Sequence, residues 1–474
     1  MPTILTPSGG DDTPQIQKAV SDAITGVFNN GSVRLGKGTF NITNINAPLW
    51  GAEVNIEGDA GTILNVAPGC TGFHFFSNAG LNSPQSKTQV TIRNLNFKTV
   101  GGKTAIAFGN EHGQIDSFGT HIVENIITEG FQTAIEVMNS RKITFRDVHA
   151  RGVETPDSLS LRIISNSSNL ATCDLFFENC ELSTSGGQGS VARSVHVEIV
   201  NGGSAAGLHF SNCWFYHGQK ACLFFENKSG AYLGQVYINN CQFDWDGGRA
   251  GEAAILVDSP SGIVRDFNVD SNWFCGFYRG IHMLLNPEKE NANISIGKNQ
   301  YWVVMLPIAG QGMRSFSVAH NTFHHCGDGN YVIENSGIFL SRSYFGNVMG
   351  NVHVCDRGPS NQSIMKHLVA ASNCGNIIVA HNVGHVMVNS AAVNMINCVN
   401  SSELSNIQST TNTSTPVVLT VREQINQLYR ELFNREGDPG GLDWWTSRVE
   451  SGELTVAQVR AEFMNSSEYH QLQQ

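Results

Sequence analysis

Hydrophobic and polar positions repeat along the middle of this chain in a six-residue phrase. Position one of the phrase is apolar, position four is aliphatic, cysteine or asparagine, and position six is mostly apolar or aromatic. Its eleven copies cover residues 92–97, 123–128, 145–150, 177–182, 210–215, 238–243, 269–274, 296–301, 318–323, 348–353 and 379–384. Successive copies start 22 to 33 residues apart. A repeat in this range, with insertions of uneven length, predicts a solenoid.

Position four changes character along the chain from aliphatic to thiol to amide. Positions one and four would point to opposite faces of a straight strand, so a bend between them is needed if both are to face inward. Asn tolerates the left-handed conformation of such a corner, and stacked amides can bond from coil to coil. Position four therefore predicts one internal stack: Leu95, Ile126, Val148, Cys180, Cys213, Cys241, Asn272, Asn299, Asn321, Asn351 and Asn382.

The segments around the phrase alternate with period two, most clearly at 194–200, where Val195, Val197 and Ile199 share one face. Short strands near 30-residue spacing, without helical periodicity between them, argue against βαβ units. They predict a mainly β protein built as a parallel β-helix, in which each coil buries its apolar face only against its neighbours. A propeller or sandwich fits less well, because propeller blades need longer and more regular repeats.

The N-terminal residues 1–30 predict a cap for this solenoid. Asp12 and Thr13 are suited to begin a helix, with Pro14 just inside it. Apolar residues then follow at helical spacing: Ile16, Ala19, Val20, Ala23, Ile24 and Val27. We expect the β-helix itself over 31–399.

Beyond the solenoid, residues 400–417 are mostly Ser, Thr and Asn and predict a linker. Residues 418–474 change to helical periodicity and predict a small all-α domain. Its first apolar stripe comprises Ile425, Leu428, Tyr429, Leu432 and Phe433. Trp444 and Trp445 are better explained as core residues of this domain than as a platform for a ligand.

Three segments carry a family resemblance: "DDTPQIQKAV" at 11–20, "RLGKGTFNI" at 34–42 and "VNIEG" at 54–58. With them the chain resembles the pectate-lyase-like family of single-stranded right-handed β-helices, and within it phage tailspikes. The resemblance covers roughly residues 1–400 and implies a right-handed coil and often a homotrimer. The family includes lyases, hydrolases, epimerases and non-enzymatic adhesins, so it does not imply one activity. The C-terminal domain resembles a helical module found at the ends of bacterial surface and secreted proteins.

The composition of the chain excludes several classes of binding partner. The net charge is −11 and no basic cluster stands out, which argues against nucleic acid as a partner. No apolar run is long enough to span a bilayer. The N-terminus lacks the basic start followed by an apolar stretch that is typical of a signal peptide, so we expect none. The eleven cysteines are expected as reduced thiols in the core of a protein made in a host cytoplasm. No spacing indicates a metal site, and we expect no cofactor.

Polar side chains concentrate in the loops that follow position six on three consecutive coils. They could meet, because residues leaving the same corner of adjacent coils lie about one strand spacing apart. Candidates for catalysis are Asp244, Asp246 and Glu226; candidates for substrate binding are Trp245, His217, Lys220, Arg249, Tyr278 and Arg279. A parallel row of outward residues carries Glu136, Arg162, His196 and Glu198, with Glu226 and Asp258 after them.

Two chemistries suit such a patch. Glycoside hydrolysis needs one protonated and one ionised carboxylate, which Asp244 and Asp246, or either with Glu226, could supply. Uronate lyase or epimerase chemistry needs a base and cations, and Trp245 would stack on a sugar ring in either case. Solvated loops of a solenoid also carry polar residues without purpose. His324 and His325 form a further pair, but without convincing metal spacing.

No catalytic motif can be carried over from the resemblance. The paired Asp followed by Gly-His-Gly of polygalacturonases is absent, as is a calcium-ligating Asp cluster of the pectate-lyase kind. We therefore expect a trimeric phage tailspike on the virion, beside other tail proteins, that binds a host surface polysaccharide, with cleavage left open. The alternatives are a bacterial polysaccharide lyase, epimerase or hydrolase, or a non-catalytic adhesin, at the cell surface or secreted.

Overall fold

A computed structural model describes most of the chain. The described residues are 4–26, 31–49, 51, 53–77, 89–111, 120–153, 155, 157–184, 193–216, 220–228, 232–245, 252–327, 336–354, 365–386, 391–409, 421–433, 435–451, 453–464, 466 and 468. The chain divides into two compact units, Met1–Thr411 and Asn412–Gln474.

The first part of the larger unit contains one helix and several unusually long strands. Its elements are β1 (Ile4–Leu5), α1 (Thr13–Ile24), β2 (Ser32–Leu35), β3 (Gly38–Ile42), β4 (Ile45–Pro48), β5 (Glu53–Gly58), β6 (Thr62–Val66), β7 (Thr71–Phe76), β8 (Gln89–Phe108), β9 (His121–Met138), β10 (Arg141–Gly152) and β11 (Leu159–Ser165). Strands β8, β9 and β10 are long because each continues through a corner of the coil, with shifts in the register of their pairing.

The remaining coils each contribute up to three strands in a fixed order. They are β12 (Ala171–Glu178), β13 (Glu181–Thr184), β14 (Arg193–Ile199), β15 (Ser204–Ser211), β16 (Trp214–Tyr216), β17 (Ala221–Asn227), β18 (Tyr232–Asn239), β19 (Gln242–Asp244), β20 (Ala253–Ser259), β21 (Ile263–Asp270), β22 (Trp273–Cys275), β23 (Arg279–Leu285), β24 (Ala292–Gly297), β25 (Gln300–Trp302), β26 (Leu306–Gln311), β27 (Arg314–Ala319), β28 (Thr322–His324), β29 (Ser336–Ser341), β30 (Tyr344–Met349), β31 (Val352–Val354), β32 (His367–Ser372), β33 (Gly375–Ala380), β34 (Val383–His385), β35 (Val393–Ile396), β36 (Ser402–Leu404) and β37 (Ile407–Ser409).

Parallel pairing between equivalent strands of successive coils builds three sheets along the solenoid. The long sheet contains strands such as β12, β15 and β18, and the short sheet contains strands such as β13, β16 and β19. The third sheet contains β11, β14, β17, β20 and their successors. The prediction of a mainly β, parallel β-helix is therefore confirmed.

The predicted internal stack lies at the corner between the long and the short sheet. Its apolar and thiol members are buried, and Cys180, Cys213 and Cys241 occupy successive coils. Its amide members form a buried ladder, in which Nδ2 of each Asn donates to Oδ1 of the next at 2.8 to 3.0 Å. The ladder ends one coil further than expected, at Asn406.

The bend beside this stack is made by position three of the phrase. Residues at position three have φ between 50° and 64°, whereas the ladder amides at position four do not appear among the left-handed residues. The left-handed residues are Asn94, Asn125, Asp147, Asn179, Asn212, Asn240, Ser271, Lys298, His320, Gly350, His381 and Ser405. The expectation that the stacked Asn supplies the turn was wrong. The residue before it adopts the left-handed conformation, and the Asn amide bonds to the next coil inside the solenoid.

Helix α1 covers the first coils as predicted, with Ile16, Val20, Ala23 and Ile24 buried against them. Asp12 stands at the N-cap position, but its side chain makes no bond to the helix backbone N–H groups. It is fully buried and accepts instead from the backbone N–H groups of Ser8 at 2.8 Å and Asn41 at 3.0 Å. Asp12 thus ties the helix entry to the first coil.

The other end of the solenoid extends further than the sequence predicted. Strands β36 and β37 lie within the predicted linker 400–417, so the coils continue to Ser409. The smaller unit contains α2 (Val421–Phe433), α3 (Pro439–Glu450) and α4 (Val456–Met464). Trp445 packs against their shared core, whereas Trp444 is 52% exposed. No helix among the described residues is long and apolar enough to cross a membrane.

Candidate functional site

The outward face of the third sheet carries a row of charged side chains that cross from coil to coil. Because successive residues of a strand point to opposite faces, the outward positions of β9, β11, β14 and β17 line up when the strands pair in register. Glu136 pairs with Arg162, and Arg162 with His196. Two residues further along, Glu198 pairs with Glu226, and Glu226 with Asp258.

Arg162 connects two carboxylates of this row. Its Nε and Nη2 donate to the two oxygens of Glu198 at 2.8 and 3.1 Å, a bidentate arrangement. Its Nη1 donates to Oε2 of Glu136 at 3.3 Å. The guanidinium is therefore held in one orientation across three coils.

His196 lies between two carboxylates and is almost completely buried, with 3% of its side chain exposed. Its Nε2 bonds to Oε2 of Glu226 at 3.1 Å. Its Nδ1 lies 2.9 Å from Oε1 of Glu198, an ion-pair contact without good hydrogen-bond alignment. Lys228 adds a contact of 2.6 Å to the other oxygen of Glu226. We call Glu136, Arg162, His196, Glu198 and Glu226 the charged cluster.

Charge pairing controls protonation within the charged cluster. Burial alone would raise the pKa of Glu198, but contacts with His196 and Arg162 outweigh it and hold that pKa well below its usual range. Burial would also raise the pKa of Glu226, but contacts with Lys228 and His196 outweigh this effect and lower that pKa. Bonding to Glu198 raises the pKa of Arg162 further. Both carboxylates are therefore ionised at neutral pH.

A cavity of about 220 Å³ opens beside the charged cluster. Arg162, Glu136 and Glu198 form part of its wall, and its other charged residues are Lys103, Asp157 and Arg193. In the described part of the chain, no ion pair joins a carboxylate to Lys103 or Arg193. Thr104, Gln132 and Thr133 supply neutral polar groups.

Phe224 links the charged cluster to the cations at the corner before the third sheet. Its ring lies parallel to the His196 imidazole, with centroids 5.0 Å apart. Lys220 Nζ lies 4.4 Å from the centre of the Phe224 ring, and Arg193 Cζ lies 5.8 Å from it. These cation–π contacts orient both cations over one buried ring.

The predicted site residues that the structure describes do not converge on one place. Glu226 belongs to the charged cluster, and Lys220 lies at its edge. Tyr278 and Arg279 lie at the start of β23, where the guanidinium is 4.7 Å above the Tyr278 ring and 3.9 Å from Glu252. His217, Asp246 and Arg249 lie outside the described residues.

Asp244 and Trp245 lie away from Glu226. Asp244 ends β19 in the short sheet, opposite Tyr216 and Cys275, whereas Glu226 is near the end of a strand of the third sheet. Trp245 is 4% exposed and belongs to the main core, 6.4 Å from Phe277 between ring centroids. Its indole is thus packed inward and offers a sugar very little surface.

Sequence reasoning noted Glu136, Arg162, His196 and Glu198 as outward residues but did not include them in the site. It missed Lys103, Asp157 and Arg193 entirely. The available signal was the clear alternation at 194–200, which fixes His196 and Glu198 on the outward face and Arg193 just before it. Applying that register to the neighbouring coils would have assembled the charged cluster.

The His324–His325 pair is in contact with an aromatic side chain. The ring of Trp302 stacks on His324 at 4.3 Å and lies 6.0 Å from His325. Among the residues that the structure describes, no group of His, Cys, Asp or Glu is arranged to hold a metal ion. The described cysteines are free thiols.

One family model matches the chain. It is a domain of unknown function, DUF4214, and it matches residues 404–473, a minor part of the sequence. No curated protein sequence matches this chain.

Several solved structures are similar at low sequence identity. The surface adhesin PfbA of Streptococcus pneumoniae is 12% identical, with a TM-score of 0.41, covering 85% of this chain and 100% of that one. Tailspike protein 3 of bacteriophage CBA120 is 12% identical, with a TM-score of 0.46, covering 86% and 60%. The Family 28 exopolygalacturonase of Yersinia enterocolitica is 11% identical, with a TM-score of 0.37, covering 88% and 80%. The similar structures thus include an adhesin, a tailspike and an enzyme.

Proposed function

We propose that this chain is a tailspike-type protein that binds an acidic surface polysaccharide of a host cell. The observation that carries the proposal is the cavity on the third sheet, where Lys103 and Arg193 stand beside the fixed guanidinium of Arg162. A sugar carboxylate or phosphate would pair with the two cations, while its hydroxyl groups would meet Glu136 and Asp157. Coil-to-coil stacking extends such contacts along a linear glycan.

The charged cluster favours binding over hydrolysis. Hydrolysis by two carboxylates requires one of them to stay protonated as the general acid. Contacts with cations lower the pKa of both Glu198 and Glu226, so neither is suited to that role. His196 is too deeply buried to meet a substrate directly.

The binding proposal is tested with purified capsule and lipopolysaccharide from candidate hosts, and with polygalacturonate as a defined polyanion. We expect binding by the full chain that weakens about fivefold in Arg193→Ala and in Lys103→Ala, and further as salt rises. Lys298→Ala is the matched control, because Lys298 is 67% exposed at the corner that follows β24 and pairs with Asp270. Unchanged binding by both cavity variants would refute this site.

Cleavage, if it accompanies binding, is assigned by our proposal to Asp244 and Asp246 rather than to the charged cluster. The same incubations are assayed for new reducing ends and for a 4,5-unsaturated chromophore. Replacing both Asp residues by Asn should abolish either product while binding in the cavity persists. Products that persist in the double variant would exclude this assignment.

A tailspike role also implies a homotrimer attached to other tail proteins of a virion. Sedimentation equilibrium of the full chain distinguishes this assembly from a monomer. A monomer that releases sugar products would favour a bacterial lyase, epimerase or hydrolase. A monomer that only binds would favour an adhesin.

A further inference from the structure

The short sheet presents a second outward row, made by position five of the six-residue phrase. On four consecutive coils this position holds Trp214, Gln242, Trp273 and Gln300, and each residue pairs in register with the next. Aromatic and amide side chains therefore alternate along the solenoid axis. We call these four residues the Trp–Gln row.

An aromatic ladder inside the coil holds the Trp–Gln row at regular spacing. The inward residues of the same strands are Phe215, Phe243, Phe274 and Tyr301. Their rings stack in parallel, with successive centroids 4.6, 4.9 and 4.8 Å apart. Since adjacent strands lie about 4.8 Å apart, the two Trp of the row are about 10 Å apart along the axis.

The two indoles of the row are accessible. Trp214 is 40% exposed, and its Nε1 donates to Oε1 of Gln242 at 3.1 Å, which fixes the ring beside the amide. Trp273 is partly exposed. Within the described residues, no aromatic ring stacks on Trp214 or Trp273, in contrast to Trp302, which is stacked on His324.

The charge of this surface indicates what it could bind. None of the four residues is charged, and the parallel outward column of the same strands runs Tyr216, Asp244, Cys275 and Trp302. That column contains one carboxylate and no cation. A polyanion would find no cation in either column, and the carboxylate of Glu181 one coil earlier is already paired with Arg151 and His149.

We propose that the Trp–Gln row is a binding site for a neutral polysaccharide lying parallel to the solenoid axis. The apolar face of a pyranose ring packs on an indole, and its hydroxyl groups can both donate to and accept from a Gln amide. A pyranose residue is about as long as one strand spacing. Alternate sugars would therefore meet Trp214 and Trp273, while the sugars between them would meet Gln242 and Gln300.

This site is independent of the cavity on the third sheet, and the two proposals can fail separately. They lie on different sheets, and the cavity requires an anionic ligand whereas the Trp–Gln row requires a neutral one. The cavity depends on Lys103 and Arg193, whereas the Trp–Gln row depends on Trp214 and Trp273.

Affinity electrophoresis of the full chain tests the proposal. Native gels contain a soluble β-1,4-glucan, a β-1,3-glucan, an α-1,4-glucan, a galactomannan or polygalacturonate. We expect at least one of the neutral polysaccharides to retard the chain, with little effect of salt. Retardation should weaken about tenfold or more in Trp273→Ala and in Trp214→Ala.

Matched variants separate binding from folding. Trp444→Ala removes an exposed Trp of the smaller unit, and the neutral polysaccharides should retard this variant as much as the unchanged chain. Trp273→Phe keeps a ring and should retain most of the binding, which guards against a misfolded Ala variant. The proposal is overturned if no neutral polysaccharide retards the chain, or if Trp214→Ala and Trp273→Ala both bind unchanged.

Discussion

The outward faces of the third and the short sheet are built by the same coils but carry opposite chemistry. On the third sheet, Glu198, Arg162 and their neighbours form a chain of ion pairs across successive strands. On the short sheet, the Trp–Gln row is uncharged and aromatic. Parallel stacking places the side chains of one register position beside each other on successive coils, so neighbouring side chains on each face interact directly.

This difference teaches that pH and salt should act on one face and not on the other. Ion pairs depend on protonation and are screened by salt, whereas stacking on an indole depends on neither. The two faces nevertheless share a single core, because side chains on both are spaced by the same buried stacks.

The largest expected loss of unfolding free energy comes from a change in the core that supports both faces. In Asn299→Ala, the backbone N–H and side-chain Nδ2 of Asn272 lose their acceptor, and the carbonyl of Val269 loses its donor. Nδ2 of Asn272 keeps its bond to the carbonyl of Ile238, so the cost of about 4 kcal/mol in unfolding free energy falls mainly on the other two buried groups. Guanidinium unfolding measures the loss, and Cys241→Ala at the same stack position should lose far less. Equal losses in the two variants would mean that the amide ladder adds nothing beyond packing.

A smaller effect should be confined to the charged face. Glu198→Gln removes the charge that Arg162 and His196 contact, leaving two donors poorly paired. We expect a loss of about 2 kcal/mol in unfolding free energy. Gln300→Ala on the short sheet is the control and should change stability by less than about 0.5 kcal/mol. If Glu198→Gln is as stable as the unchanged chain, the ion pairs are not stabilising.

Acid should weaken the charged face selectively. The folded-state pKa values of Glu198 and Glu226 are lowered, so their stabilisation is complete above the unfolded value of about 4.3. It is lost as pH falls from about 5 toward the folded values, because the unfolded chain then binds more protons. Unfolding midpoints measured between pH 7 and pH 3 should fall less steeply in Glu198→Gln. Parallel curves for the two chains would contradict this linkage.

The smallest effect concerns the exposed end of the charged row. Lys228 contacts Glu226 but is 61% exposed, and exposed pairs contribute little. Lys228→Ala should therefore lower the unfolding free energy by about 0.5 kcal/mol or less. A loss as large as that of Glu198→Gln would show that solvent exposure does not weaken the ion pair between Lys228 and Glu226.

Much of the fold could be predicted because the same six-residue pattern of apolar and polar positions recurs in each coil. The phrase positions of Cys180, Cys213 and Cys241 alone indicate that these residues superpose. The corner was harder: the left-handed residue varies among Asn, Asp, Ser, Lys and His, so its type gives no clear signal. The stacked Asn drew attention because it repeats, although its amide is used for bonding between coils.

The candidate site was predicted less well, because a loop can leave a corner in many directions. Trp245 looked like a platform for a sugar, but its ring is buried beside Phe277. Strand residues such as Arg162 and Trp273 have directions fixed by alternation, and the sequence does determine their partners once the register is known. Sequence reasoning favoured polar loops over strand positions, and so overlooked both outward rows.

The amide ladder has a consequence for how such a chain can change in length. Asn272, Asn299 and Asn321 are interchangeable rungs, since each offers the same oxygen to the coil before it and the same nitrogen to the coil after it. Removing one whole coil would let the flanking rungs meet with matched chemistry, so duplication or loss of a coil is an accessible step in the history of the gene. The same step would alter the order of Trp and Gln outside, so recognition could diverge while the scaffold stayed intact.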